Sequence, residues 1–258
     1  MNILITGIHG FVGGNIVAAL KNQHTIYFDI NTGLTQRIYD WFLKSGAKKF
    51  IYFSTVKAAA DVVPEILTED IEPSPKGPYG ESKLAAEKYI LQNLSADKLV
   101  YILRPCMIHG PGNKGNMNLL YKIQQKGLPW PLGAFENKRS FCSIDNLIFA
   151  VQQLIDATID PGIYQVADDE ALSTNELIKL IAESQNKKAR IWIIPASLID
   201  SIAQLGGIFH LPLNSERLKK LTESYVVSNQ KIKMALGIEK MPVRADEGLM
   251  NTFKSFKR

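Results

Sequence analysis

The sequence predicts an α/β protein built on a doubly wound parallel sheet, with a smaller α/β cap. Strand-like and helix-like segments alternate along the first part of the chain, as such a sheet requires. The chain also opens on a short apolar strand, Asn2–Thr6, which is followed by spaced glycines and by a helical pattern from Phe11 to Lys21. A second strand-like run, Phe50–Thr55, precedes a further helical pattern. These observations predict the sheet and place its polar groups at the carboxyl ends of the strands.

Gly7, Gly10 and Gly13 follow the first strand with G-x-x-G-x-x-G spacing. Glycines there allow a tight turn and let the backbone approach a pyrophosphate at the helix N-terminus, so a dinucleotide is the expected ligand. The strand-like run Thr25–Asp29 ends in a carboxylate about 20 residues later, where an acid binds ribose hydroxyls and repels a 2′-phosphate. The pattern favours NAD over NADP. The alternative is an ordinary turn, with Asp29 capping a loop.

Tyr79 and Lys83 lie four residues apart at the start of a helix-like stretch, so their side chains share one face. The ammonium is expected to favour the phenolate and to lower the pKa of Tyr79 toward neutrality. Thr55, at the end of its strand, is expected beside them. This set can move protons at a sugar hydroxyl, although the Tyr-x-x-x-Lys spacing also occurs by chance on solvated helices.

Composition agrees with a soluble globular protein: 46% of the 258 residues are hydrophobic and 21% are charged. No apolar run reaches the ~18 residues of a membrane helix and no basic leader precedes the first strand, so a cytoplasmic protein without stable membrane insertion is expected. The net charge of +5 suits an anionic diphosphate, and no nucleic-acid motif appears. Cys106 and Cys142 lack metal-ligand spacing and are expected as separate thiols, with no metal site. The tail Phe253–Arg258 is expected to fray.

Taken together, these motifs resemble the extended short-chain dehydrogenases/reductases of the NAD-dependent epimerase/dehydratase family. The matching segments are the N-terminal glycines, Phe50–Thr55, Tyr79 with Lys83, Leu103–Pro111 and Lys138–Asn146. The resemblance implies a Rossmann domain that binds NAD, formed by residues 1–105 and 141–168. It implies a substrate-binding cap formed by residues 106–140 and 169–258.

The resemblance also implies the site residues. Tyr79, Lys83 and Thr55 are the expected catalytic residues. The expected cofactor-binding residues are Gly7, Gly10, Phe11, Val12, Gly13, Asp29, Ile30, Ser54, Tyr79, Lys83 and Cys106. The expected substrate-binding residues are Thr55, Met107, Asn118, Trp130, Leu132 and Arg139.

Three of these residues have specific expected roles. Trp130 and Leu132, between prolines, suit a flat platform for a uracil ring, and the alternative is a turn with a packed tryptophan. Arg139 is expected to grip the diphosphate, and the alternative is a solvated surface arginine.

The function implied is NAD-dependent epimerisation at C4 of a UDP-hexose or UDP-N-acetylhexosamine, by a homodimer. The first alternative is an NAD(P)H-dependent reductase of a 4-keto UDP-sugar, because Met107 stands where epimerases of the family commonly carry Asn. The second alternative is a non-catalytic NAD-binding regulator.

One departure from the family concerns residues 30 and 31. Relatives place roughly two further strands and their helices between the strand that ends at Asp29 and the helix that begins near Asn31, whereas here Ile30 precedes Asn31 directly. Either the sheet is shortened or a stretch of chain is missing from the numbered sequence at this point. The second interpretation is favoured. The distance between the Cα atoms of residues 30 and 31 distinguishes the two, because it must be about 3.8 Å if these residues are bonded.

Overall fold

A computed structural model of the protein describes residues 3–6, 27–63, 65–113, 116–208 and 215–256. The chain divides into two compact units. The first unit comprises Met1–Met107, Asn146–Ala167 and Val227–Pro242, and the second comprises Ile108–Asp145, Asp168–Val226 and Val243–Arg258. The predicted glycine turn, Gly7 to Gly13, lies outside the described residues.

The strands are β1 (Ile3–Thr6), β2 (Lys49–Phe53), β3 (Ile66–Leu67), β4 (Leu99–Pro105), β5 (Met107–His109), β6 (Phe141–Ser143), β7 (Gly162–Val166) and β8 (Val226–Val227). The helices are α1 (Thr35–Lys44), α2 (Pro78–Gln92), α3 (Asn116–Gln125), α4 (Ile144–Asp156), α5 (Thr174–Ser184), α6 (Ala196–Ile208), α7 (Ser215–Thr222), α8 (Gln230–Leu236) and α9 (Ala245–Ser255). A π-helical segment, Phe28–Leu34, precedes α1, and a 3₁₀ turn, Val56–Ala58, follows β2.

The main sheet of the first unit is parallel, with the strand order β1-β2-β4-β7. Phe50, Ile51 and Tyr52 of β2 are completely buried, as is Leu103 of β4. Such continuous burial is typical of parallel strands covered on both faces. On one side, Tyr39 of α1 packs with its ring centroid 5.1 Å from that of Phe50. The predicted parallel α/β fold is confirmed.

The strand predicted over Thr25–Asp29 is wrong from Tyr27 onward, where the chain is helical. Its aromatic and β-branched residues favour a strand, but a short apolar run does not distinguish strand from helix. Tertiary contacts select the helix here. Asn31 Nδ2 donates to Ser82 Oγ at 3.0 Å, and Thr32 Oγ1 donates to the Ser82 carbonyl at 2.8 Å.

Ile30 and Asn31 both belong to the π-helical segment Phe28–Leu34. That a stretch of chain is missing from the numbered sequence at this point stays a prediction. Within the described residues, β1 pairs directly with β2 and forms one edge of the sheet.

Residues 227–242, which the sequence assigned to the cap, belong instead to the first unit. Asn229 Nδ2 donates to the carbonyl of Ala167 at 3.0 Å, and Lys231 Nζ lies 5.3 Å from the ring centroid of Tyr164 on β7. These contacts attach α8 to the sheet.

The second unit has its own hydrophobic core, built from α3, α5, α9 and the segments between them. Its buried members include Tyr121, Trp130, Leu132 and Phe253. The predicted fraying of the C-terminal tail is wrong as far as Phe256, because Phe253 is fully buried in α9 and the Phe256 ring lies 5.3 Å from that of Tyr121. Helix α5 begins with a capping box formed by Ser173 and Glu176.

Two buried lysines in the first unit bind backbone carbonyls at the C-terminal ends of helices. Lys98 Nζ donates to the carbonyls of Phe42, Ser45 and Ala47, at 3.3, 2.7 and 2.8 Å, at the end of α1. Lys49 does the same at the end of α4, where Nζ bonds three carbonyls of the segment 154–157. In each case one ammonium satisfies carbonyls that the helix leaves open and complements the negative end of its dipole.

We predict that Lys98→Met lowers the free energy of unfolding by about 2–3 kcal/mol, because three buried carbonyls lose their charged donor. Urea denaturation measures the change. Lys88→Met, on the exposed side of α2, is the control and should alter stability by less than about 0.5 kcal/mol. Equal effects of the two substitutions would show that the Lys98 bonds contribute nothing to stability.

Candidate functional site

Thr55 and Tyr79 meet at the carboxyl end of β2. Thr55 is buried, directly follows Ser54 after the strand, and accepts a hydrogen bond from the backbone of Lys57 at the start of the 3₁₀ turn. Its side chain also lies close enough to the Tyr79 hydroxyl to lower the pKa of that phenol. The sheet therefore places a hydroxyl and a phenol in contact where parallel α/β proteins bind their ligands.

Two glycines define the start of the helix that carries Tyr79. Gly77 has a φ of 135°, which side-chain-bearing residues rarely adopt, and Pro78 then occupies the first helical turn. A Cβ on Gly80 would collide with the Lys57 carbonyl. This close approach holds Tyr79 against the residues that follow β2.

Tyr79 is 39% exposed as a whole residue. Burial of the phenol nevertheless raises the pKa of Tyr79, and the hydrogen bond with Thr55 offsets only part of that rise. The expectation that Lys83 lowers this pKa is therefore wrong for the protein without ligands. In this state the protonated phenol is the dominant form at neutral pH.

Lys83 lies one helical turn further on and is only 5% exposed. Its Nζ donates to the Phe53 carbonyl at 2.9 Å and lies 5.0 Å from the centroid of the Tyr52 ring. Burial lowers the pKa of Lys83 to about 8, and the nearby Glu87 carboxylate partly opposes that shift. The ammonium is thus held at the end of β2 by a backbone carbonyl and a ring face.

Glu87 belongs to a buried ion pair that the sequence analysis missed. On β4, Arg104 Nε donates a hydrogen bond to Glu87 Oε1 at 2.9 Å, and Arg104 Nη2 donates one to Glu87 Oε2. Both side chains are almost fully buried. Glu87 follows Lys83 by four residues, a spacing that places two opposite charges on one helix face. That spacing was the one feature of the sequence from which a role for Glu87 could have been predicted. The pairing with Arg104 comes only from the fold.

The cofactor-binding residues predicted near Tyr79 fit the ribose and nicotinamide end of a dinucleotide. Ser54 Oγ is buried, and within the described residues it has no hydrogen-bond partner. Such an orphaned hydroxyl, next in the chain to the Phe53 carbonyl that Lys83 binds, suits a polar ligand. Cys106 directly follows β4, and its backbone N–H donates to Val166 O at 3.1 Å.

Asp29 and Ile30 do not fit their predicted role. The argument for Asp29 required a carboxylate at the end of a parallel strand, but both residues are exposed on the π-helical segment. The roles predicted for Gly7, Gly10, Phe11, Val12 and Gly13 fall outside the described residues.

The predicted substrate residues have different surroundings. Met107 is exposed at the end of the first unit, whereas Asn118, in α3, donates Nδ2 to the Asn113 carbonyl at 2.7 Å. Trp130 and Leu132 are 4% and 3% exposed and belong to the core of the second unit. A uracil platform built from their faces is therefore wrong, and the packed tryptophan is the reading that the structure supports.

Arg139 is half-buried on a strongly anchored segment. Its backbone exchanges two hydrogen bonds of 2.9 Å with Leu172, and the neighbouring Asn137 and Thr174 bond each other twice at 3.0 Å. Burial lowers the pKa of Arg139 and Glu223 opposes that shift, but a guanidinium stays protonated in proteins. A partly desolvated guanidinium on an anchored backbone is suited to phosphate oxygens.

Cys106 and Cys142 are free cysteines, the first partly buried and the second buried. Across the described ranges, histidines, cysteines and acids form no group arranged to hold a metal ion. The buried His109 lies 2.9 Å from Thr252 Oγ1 and 3.3 Å from Asp168 Oδ2. We assign this cluster to the packing of the second unit.

Comparison with known proteins agrees with this geometry. A model of the NAD dependent epimerase/dehydratase family matches residues 22–167. UDP-glucose 4-epimerase of Vibrio cholerae is 31% identical over 238 residues, which are 90% of this chain and 70% of that protein. GDP-6-deoxy-D-mannose reductase of Pseudomonas aeruginosa is 27% identical over 160 residues, which are 58% of this chain and 53% of that protein.

A solved structure of UDP-glucuronic acid 4-epimerase from Bacillus cereus in complex with NAD superimposes with a TM-score of 0.71. It is 18% identical, and the match covers 92% of this chain and 71% of that one. At this identity the match shows the fold alone.

We predict that the buried Lys83 makes stability depend on pH. Its pKa of about 8 in the folded protein lies below the ordinary 10.5, so the unfolded chain binds more protons between these values. The free energy of unfolding of the wild type should therefore rise, relative to Lys83→Met, from about pH 8 to pH 10.5. The relative gain is at most about 3 kcal/mol.

Urea denaturation across this pH range measures the difference, and other titrating groups cancel in it. A flat difference between the wild type and Lys83→Met would mean that burial does not shift the pKa of Lys83.

Proposed function

Because the chain belongs to the NAD dependent epimerase/dehydratase family, we propose that it epimerises C4 of a UDP-hexose or UDP-N-acetylhexosamine with NAD as cofactor. The observation that carries the proposal is the proximity of Thr55 and Tyr79 at the carboxyl end of β2, with Lys83 one helical turn away and its ammonium bonded to the Phe53 carbonyl at the end of the same strand. The similarity to a UDP-glucose 4-epimerase supports the substrate class.

The residues of this chain have separate tasks in the proposed reaction. The Tyr79 oxygen removes the proton from the substrate 4-hydroxyl and returns it after the sugar turns over. The Thr55 hydroxyl bonds the same substrate oxygen and holds C4 in place. Bound NAD⁺ would supply the hydride acceptor at C4 and a positive charge beside the phenol. That charge is needed because burial alone leaves Tyr79 protonated.

Lys83, Tyr79 and Ser54 are the described residues that we propose to hold the cofactor. The Lys83 ammonium can bond ribose hydroxyls, and the Ser54 hydroxyl, which has no partner among the described residues, lies at the same strand end. Gly7, Gly10 and Gly13 remain the predicted pyrophosphate site.

A reductase of a 4-keto UDP-sugar is the second candidate, and two observations favour it. A protonated Tyr79 is the form that donates a proton to a keto oxygen as hydride arrives. Met107, with a half-exposed apolar side chain, stands where epimerases of the family commonly carry Asn. A reductase is also among the relatives.

One experiment separates these candidates. Purified protein is supplied with UDP-galactose or UDP-N-acetylglucosamine and NAD⁺, and NMR follows the configuration at C4. Conversion without net NADH supports the epimerase. Turnover only with a 4-keto sugar and NAD(P)H supports the reductase, and NAD binding without either reaction supports a regulator.

We also propose a homodimer. Two neighbouring helices of the first unit, α1 and α2, carry exposed apolar side chains. These are Trp41 on α1, and Leu91 and Leu94 around the end of α2. Surface of this kind favours association. Light scattering of the purified chain gives the assembly directly, and a monomer at all concentrations would contradict the proposal.

We predict that Tyr79→Phe slows the chemical step by at least about 10²-fold, because the acid/base is lost, while NAD binding persists. Single-turnover kinetics and cofactor titration measure the two quantities. Tyr89→Phe is the matched control, since Tyr89 lies on the same helix and donates to Asp40 Oδ1 at 2.6 Å. Unchanged turnover in Tyr79→Phe would remove Tyr79 from the mechanism.

We predict that Arg139→Ala weakens UDP binding by roughly 10- to 150-fold, the loss expected for a charge-assisted contact of about 1.5–3 kcal/mol. Calorimetry in saturating NAD measures the dissociation constant. Lys138→Ala removes the neighbouring exposed cation and should have little effect. A change below about threefold in Arg139→Ala would mean that this guanidinium does not contact the diphosphate.

A further inference from the structure

Exposed apolar side chains and basic residues occur together on one segment of the second unit. In residues 186–198, which we call the basic–aromatic segment, Trp192, Ile193 and Leu198 are 57%, 79% and 52% exposed. The same segment contains Lys187, Lys188 and Arg190 and no acidic residue. The two flanking acids along the chain are Glu183 and Asp200.

The backbone of this segment is held in place, so the exposure of its side chains does not come from a loose end. The Trp130 N–H donates to the Arg190 carbonyl at 2.7 Å, and the Trp192 N–H donates to the Trp130 carbonyl at 2.8 Å. The Gly133 N–H then donates to the Trp192 carbonyl at 3.0 Å. A Cβ on Gly133 would collide with that carbonyl, so the two backbones are in close contact.

The turn after α3 continues the same surface. Lys187 Nζ donates to the Gln125 carbonyl at 2.8 Å, which joins the basic–aromatic segment to this turn. Lys126 and Leu128 on the turn are both exposed. The turn thus adds one more cation and one more apolar side chain.

We propose that the basic–aromatic segment docks the protein on the surface of an anionic membrane. Tryptophan has an apolar body and a polar N–H, and it is enriched at the boundary between lipid headgroups and acyl chains. Lysine and arginine beside it are attracted by anionic lipids. The combination of an apolar anchor with basic residues is the pair of signals that gives reversible membrane attachment.

Charge complementarity favours a lipid surface over a protein partner as the occupant. The segment carries three cations, Lys187, Lys188 and Arg190, and no acid. Two copies of the segment would therefore repel each other, whereas an anionic bilayer would attract all three cations. The docking is peripheral. None of the helices in the described ranges has the length and apolar character needed to cross a bilayer.

The proposal is tested by flotation of the full chain with vesicles of phosphatidylcholine, alone or mixed with phosphatidylglycerol. We expect binding only to the mixed vesicles, and weaker binding as salt increases. Trp192→Ser combined with Ile193→Ser should reduce partitioning at least about tenfold, because the apolar anchor is lost. Lys187→Glu combined with Lys188→Glu should reduce it by a similar factor.

Matched controls come from the first unit. Ile148→Ser combined with Met234→Ser removes two exposed apolar side chains, and Lys44→Glu combined with Lys88→Glu reverses two exposed charges. Both control variants should float like the wild type. Fluorescence adds a local readout: with Trp41→Phe as background, mixed vesicles should shift the emission to shorter wavelength, and adding Trp192→Phe should abolish the shift.

Absence of binding to the mixed vesicles would overturn the proposal. So would equal losses in the segment variants and in their matched controls, because binding would then not depend on the basic–aromatic segment. Sedimentation of the wild type and of the Trp192/Ile193 variant identifies the other occupant. Self-association that depends on these two residues, without vesicle binding, would assign the surface to a second copy of the chain.

Discussion

Arg104 and Glu87 form a two-armed ion pair in the interior of the first unit, between strand β4 and helix α2. Removing two charges from water is costly, and a buried ion pair often adds little to net stability. Its consequence here is geometric. If α2 rotated or slid by one residue, Glu87 would lose its partner and remain as an unpaired buried charge. Lys83, one turn earlier on the same helix, keeps its place for the same reason.

The start of α2 is constrained from the other side by packing. Gly80 allows the helix to touch the Lys57 carbonyl, and Ser82 receives hydrogen bonds from Asn31 and Thr32. Tyr79 is therefore held between the ion pair and these contacts, with its hydroxyl against Thr55. The phenol has little freedom to move, which is the preorganisation that proton transfer requires.

In the second unit, backbone hydrogen bonds rather than an ion pair position the segment that carries the cationic Arg139. Arg139 has its backbone bonded to Leu172, and Tyr225 bonds both flanking residues, Lys138 and Ser140. The guanidinium is half-buried, so interaction with a phosphate is less screened than it would be on an open surface. These bonds fix the backbone that carries Arg139, so the backbone would lose little conformational entropy when the guanidinium binds a ligand.

The sequence by itself determined the parallel sheet, the strand before Thr55 and the shared helix face of Tyr79 and Lys83. The alternation of strand-like and helix-like segments, the apolar runs and the four-residue spacing are local properties of the sequence. They do not depend on contacts with distant parts of the chain. The family followed from the order of these motifs. Local pattern also explains the error at Asp29, since a short aromatic run suits a strand or a helix equally well.

Only the tertiary structure decided the environments of these residues. The pKa of Tyr79 rises because the fold buries the phenol, and Lys83 faces the Phe53 carbonyl, which no spacing rule reveals. Trp130 is packed inside a core whose other members lie far along the chain. Arg104 meets Glu87 across 17 residues of sequence. Burial and long-range pairing are set by contacts between distant segments, so they became visible only once the chain was folded.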